Sequence, residues 1–65
     1  MERLTPREQQ VARLLAEGKR QKEISRLLMI SRRTVEAHCN NAKRKVGARS
    51  TFELAVKTAV EVSGE

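Results

Sequence analysis

The sequence predicts an all-α fold, a four-helix bundle. Three observations carry this. Apolar residues recur at steps of three and four, the period of one helix face, and no stretch alternates with the period of two that a strand needs. Helix-starting signals precede three of the periodic runs: Thr5-Pro6-Arg7-Glu8, Ser31, and Ser50-Thr51-Phe52-Glu53. Gly18 and Gly47 follow two of them, where a left-handed residue ends a helix at no steric cost.

The 65 residues read as one domain spanning positions 1–65. A chain this short buries only about 60% of its unfolded surface, so its stability is modest. No apolar run reaches the roughly 20 residues that cross a bilayer. The N-terminal stretch MERLTPREQQ has no apolar signal core. The expected location is therefore the cytoplasm, with no membrane partner. With Thr5 capping the first helix, no sensor segment is expected between it and Met1. The chain shows no repeat, low-complexity segment or linker.

The first helix starts with Thr5 as N-cap and Pro6 at the first helical position, where its missing amide costs nothing. Glu8 completes a capping box. Val11, Leu14 and Leu15 form the apolar face, with Ala12 beside them, and Gly18 ends it. The second helix covers about Gln21 to Leu28, with Ile24, Leu27 and Leu28 as its buried side. Lys19, Arg20 and Lys22 flank its N-terminus, and free amides beside cations make a phosphate-binding end.

The third helix runs from about 32 to 46, between Ser31 as N-cap and Gly47 as stop. Val35, Cys39, Ala42 and Val46 trace its apolar face. The opposite side carries Arg32, Arg33, Glu36, Ala37, Asn40, Lys43 and Arg44, polar and basic with small residues at its centre. Such a helix buries one side and offers the other to an anion. An ordinary amphipathic surface helix has the same pattern, and the stretch alone does not separate the two. A helix, a three-residue turn and a longer helix have the spacing of a helix-turn-helix.

The fourth helix runs to about Val62 and has more apolar surface than one core face needs. Leu54, Ala55 and Thr58 cover the domain. Phe52, Val56, Ala59 and Ser63 form a second stripe, with Val60 alongside. A spare apolar stripe on a small domain marks either a partner surface or an incompletely covered terminal helix.

The net charge is +6, and it is unevenly spread. From Lys19 to Arg49 there are ten Lys or Arg against two Glu, a local +8, while the remaining residues sum to −2. A basic stripe of this kind is the footprint of a polyanion site. Phe52 is the sole aromatic residue, whereas readers of single-stranded nucleic acid stack bases on several rings. Double-stranded DNA is the natural polyanion.

An enzyme is not expected. His38 and Cys39 are neighbours on a helix and point about 100° apart, so they form neither a nucleophile–base pair nor a zinc site. The chain has no glycine-rich phosphate loop, and no cofactor or small-molecule site is expected. Cys39 reads as a small core residue and His38 as a partly buried packing residue.

Several pieces match one family. They are Leu4-Thr5-Pro6-Arg7-Glu8; Val11, Leu14, Leu15 and Gly18; Lys22-Glu23-Ile24, Leu27-Leu28 and Ile30-Ser31. They continue with Thr34-Val35, His38, Asn41-Ala42, Lys45-Val46-Gly47, Arg49-Ser50 and Glu53-Leu54-Ala55. Each is weak alone; in this order and spacing they are specific. The chain resembles the LuxR-type (GerE-type) helix-turn-helix domain of bacterial transcription regulators, including the output domains of NarL/FixJ-type response regulators.

The resemblance implies a third helix lying in the major groove and a fourth helix forming a two-fold dimerisation surface. By position, Arg33, Glu36, Ala37 and Asn40 resemble the base-facing residues. Arg20, Gln21, Lys22, Thr34, Lys43 and Arg44 resemble the phosphate contacts. Phe52, Val56, Ala59, Val60 and Ser63 lie where the family forms homodimers. RNA polymerase is a further partner of such domains.

Three departures stand out. Arg20 occupies a position that is usually a small N-cap such as serine, so the cap hydrogen bond is expected to be missing and the arginine to be available to a phosphate. Met29 stands in a turn that often holds glycine, and a left-handed backbone there would strain it mildly. Ala42 replaces a bulkier residue, which thins the core beneath the third helix.

The expected function is sequence-specific binding of double-stranded DNA for transcription regulation. Arg33 suits a guanine, Asn40 an adenine, Glu36 a cytosine amine and Ala37 a thymine methyl. A sigma-factor-like promoter reader shares the motif, but the His38 and Asn41 positions favour the LuxR type. The alternative from another class is a protein-binding module that captures a regulator with its fourth helix and binds no DNA.

Overall fold

The computed structural model describes residues 3–63, with side chains described through residue 60. Four helices follow one another: α1 (Pro6–Ala16), α2 (Gln21–Leu28), α3 (Arg32–Val46) and α4 (Thr51–Ser63). No strand occurs among the described residues. None of their helices is long and apolar enough to cross a membrane.

Local chemistry explains each boundary. Thr5 and Glu8 form the full capping box of α1. The Thr5 hydroxyl accepts from the Glu8 amide at 3.1 Å, and Glu8 Oε1 accepts from the Thr5 amide at 2.9 Å. Ser31 Oγ caps α3 by accepting from the Thr34 amide at 3.0 Å. Ser50 Oγ accepts from the Glu53 amide at 3.0 Å, the hydroxyl half of a capping box at α4. At α2 the arrangement is one-sided. Glu23 Oε1 accepts from the Arg20 amide at 3.2 Å, but a guanidinium has no acceptor with which to return the bond.

The first three helices end alike. Gly18, Met29 and Gly47 all have positive φ. In each case the next amide reaches back five residues: Lys19 to Leu14 at 3.0 Å, Ile30 to Ser25 at 3.0 Å and Ala48 to Lys43 at 2.8 Å. This six-to-one bond satisfies carbonyls that the helix end leaves open. Met29 is thus left-handed, at φ 56° and ψ 43°, where a side chain costs energy that glycine avoids.

The core is drawn from all four helices: Val11, Ala12 and Leu15 of α1, Ile24 of α2, Val35, Cys39 and Ala42 of α3, and Leu54 of α4. Leu4, Ile30 and Ala48 of the connecting segments pack against it. Helix α1 lies against both α3 and α4, and α2 against α3. The recognition helix candidate therefore has its apolar face held from three sides, which fixes its opposite face outward.

One expected core residue is misplaced. Leu27 is 58% exposed. The covered side of α2 runs through Ile24, Leu28, Gln21 and Ser25 and is centred between Leu28 and Gln21. At about 100° per residue, Leu27 falls roughly 110° from that centre, so a helix of two turns packing on α3 cannot bury it as well.

The core also holds a charge pair. Glu8 is buried, and its Oε1 lies 2.8 Å from Lys45 Nζ, whose side chain is nearly covered. The pair ties the start of α1 to the last turn of α3. Burial raises the Glu8 pKa, but hydrogen bonds from Lys45 and Thr5 and the Lys45 charge outweigh it, so the carboxyl sits below its ordinary value.

Candidate nucleic-acid interface

The outer face of α3 follows from its inner one. With Val35, Cys39 and Ala42 fully in the core, the residues between them must point away. Arg33, Glu36, Ala37 and Asn40 are all exposed. Their spacing of three, four and seven places them in one row, about 10 Å long at 1.5 Å per residue. The small Ala37 leaves the middle of the row low, so a flat surface can approach the helix closely.

The charged border of this row is only partly as expected. Arg44 is exposed and extends the row by one turn; Lys43 is half-buried. A lysine in that position covers apolar surface with its stem and keeps its ammonium in solvent. Thr34 is exposed, and its hydroxyl is already hydrogen-bonded to Ser31 Oγ at 2.9 Å. Arg32, outside the expected set, is exposed at the first position of the helix.

At the N-terminus of α2, Arg20 and Lys22 are exposed. Because Arg20 gives no side-chain cap, the first-turn amides of Gln21, Lys22 and Glu23 keep their donor capacity. That is the arrangement in which a helix end holds a phosphate. Gln21 differs from its neighbours. Its side-chain amide is turned inward, 3.9 Å from Cys39 Sγ, so what it presents outward is its backbone N–H. Cys39 itself is a buried thiol. Burial and the nearby Glu36 push its pKa up while Lys43 pulls it down, with a net rise, so it is poorly nucleophilic.

Not all of the basic stretch faces outward. Lys45, one of its ten cations, is bound to Glu8 and turned into the core. Sequence reasoning missed this pair, because the capping-box spacing accounted for Glu8 and its partner lies 37 positions away.

On α4, Phe52 is 78%, Val56 44% and Val60 65% exposed. They recur every four residues and form the outward apolar line. Ala59 is half-buried, so it borders the core rather than leading the stripe. The Ser63 side chain lies outside the described residues.

Against this geometry, comparison with known proteins gives a consistent result. A family model described as "Bacterial regulatory proteins, luxR family" matches residues 2–58. The chain is 44% identical over 59 residues to the uncharacterized response regulatory protein YgeK of Escherichia coli, covering 91% of this chain and 40% of that protein. It is 41% identical over 54 residues to the spore germination protein GerE of Bacillus subtilis, covering 83% of this chain and 73% of that protein. It is 49% identical over 43 residues to the transcriptional activator protein CarR of Pectobacterium carotovorum, covering 66% of this chain and 18% of that protein. The chain spans less than half the length of the first of these relatives. No solved structure matches significantly.

Proposed function

The chain belongs to the luxR family of bacterial regulatory proteins, and from that premise we propose that it binds double-stranded DNA in a sequence-specific manner to regulate transcription in the cytoplasm. The observation that carries this reading is the outer row of α3: Arg33, Glu36, Ala37 and Asn40, all exposed, above a face locked in the core. An α-helix fits the major groove, where each base pair presents its own pattern of donors and acceptors. Arg33 pairs with guanine O6 and N7, Asn40 with adenine N6 and N7, Glu36 accepts from the cytosine amine, and Ala37 meets a thymine methyl.

Phosphates are held by Arg20 and Lys22 with the Gln21 amide at the start of α2, and by Thr34, Lys43 and Arg44 on α3. These contacts supply most of the affinity and set the register of the helix. Two copies pair through Phe52, Val56 and Val60, with Ala59 at the border. Their recognition helices then enter successive major grooves about 34 Å apart. RNA polymerase is the further partner through which a bound dimer would act. The rival reading, a module that captures a protein with α4, is favoured only by the same exposed apolar line.

A gel shift with random-sequence duplex DNA at low salt separates the two. A DNA reader retards the duplex; a protein-binding module leaves it free.

A further inference from the structure

Two carboxylates lie inside the basic stretch from Lys19 to Arg49, and their situations differ. Glu23 is engaged at the start of α2, where it accepts the Arg20 amide. Glu36 is exposed, and among the described residues the sole ion pair is that of Glu8 with Lys45. Arg32 and Arg33 precede Glu36 by four and three positions, within reach along the helix. An arginine placed before a glutamate is the weaker order for pairing on a helix, so the bare carboxylate has a physical reason. A formal negative charge thus stands in the middle of the outer row, one turn from Arg33 and one turn from Asn40, within a stretch that is otherwise strongly basic.

A carboxylate accepts and does not donate. Most of what it meets in the major groove also accepts: guanine O6 and N7, adenine N7, thymine O4. The phosphates carry its own charge. The cytosine N4 amine is the good partner. The adenine N6 amine is a poorer one, because the acceptor N7 beside it faces the second carboxylate oxygen.

We propose that Glu36 sets specificity by exclusion: it admits a duplex with a cytosine amine at its position and lowers the affinity for every other. This rests on the reading of the α3 row as the DNA-reading surface. Helical residues about one turn apart reach successive base pairs, so the cytosine lies between the pair read by Arg33 and the pair read by Asn40. The same charge weakens non-specific binding, since it subtracts from the attraction that Arg20, Lys22, Lys43 and Arg44 provide on any sequence.

The test combines selection from a randomised duplex pool with affinities for random duplex, using the wild-type chain, Glu36→Gln and Glu36→Ala. Glu36 is exposed and without a partner, so both variants should keep the fold by circular dichroism. The wild type should enrich a cytosine at one position. Both variants should bind random duplex about threefold or more tightly at low salt, as expected for removing one like charge near the phosphates. Glu36→Ala should lose roughly tenfold discrimination at that position, and Glu36→Gln should shift the selected base towards adenine. Variants that select the same base and bind random duplex no better than wild type overturn the inference and leave the DNA-reading function standing. A wild-type chain that neither retards duplex nor enriches a sequence overturns both, and does so before any substitution is made.

Discussion

Met29 is the residue whose backbone and side chain disagree. It is left-handed, like Gly18 and Gly47 at the equivalent helix ends, yet it carries a side chain that is 91% exposed and touches little. The left-handed conformation costs about 1–2 kcal/mol for such a residue, while glycine costs about 0.5–1 kcal/mol in unfolded-chain freedom. Met29→Gly should therefore stabilise the domain by about 0.5–1 kcal/mol, seen as a higher urea midpoint at unchanged slope; a lower midpoint would show that Met29 makes contacts that matter. Glu8 gives a second expectation at this scale. Its carboxyl has a lowered pKa in the fold, so the Glu8–Lys45 pair contributes fully above the ordinary value of 4.5. That contribution is lost as pH falls through the lower native value. Urea midpoints should fall in that acid range, and a Glu8→Gln variant should be weaker at neutral pH and lose this acid step. Removing one partner of a buried pair costs about 3–5 kcal/mol. The caps at Thr5 and Ser31 were legible because both partners lie within three positions. The left-handed backbone at Met29 was expected only through the resemblance to a family whose turn often holds glycine. The Glu8–Lys45 pair was not, because a bond across 37 positions leaves no local pattern.

Helix α3 was the most legible element, since one residue in three or four is apolar on its core side and only the small Ala37 is on the other. A two-turn helix is less constrained. The periodicity of α2 allowed Leu27 on the buried side, and only its packing against α3 decided for Ile24 and Leu28 instead. The candidate base row rests on the better-defined element, and it makes a clear division of labour. Asn40→Ala should relax base preference at one position by roughly 1–3 kcal/mol, whereas Lys43→Ala should weaken all sequences alike. Affinities for a selected duplex and for random duplex measure both. Equal loss on the two duplexes for Asn40→Ala would remove Asn40 from the set of base readers.

Two copies of the whole molecule would have to meet along α4. A line of Phe52, Val56 and Val60 on one short helix offers little area, and small interfaces are weak and transient. The domain should be largely monomeric when dilute and should pair on DNA. Val56→Glu puts an unpaired charge in that line, at a position already 44% exposed, so the fold should survive. Gel shifts on one-site and two-site duplexes should show cooperativity lost and single-site binding kept; unchanged cooperativity would assign the stripe to another partner. The spare stripe was visible in the sequence, but its composition was not, because only packing shows that Ala59 turns towards the core. The charge distribution is the other property of the whole molecule, and the central claim rests on it: a net +8 between Lys19 and Arg49 that, apart from Lys45 held by Glu8, meets phosphates. Affinity for duplex DNA measured across a salt series tests this most directly. With Arg20, Lys22, Lys43 and Arg44 on phosphates, log affinity should fall with log salt at a slope of roughly −3 to −4 per protomer; an affinity that stays flat from low to moderate salt would contradict the claim.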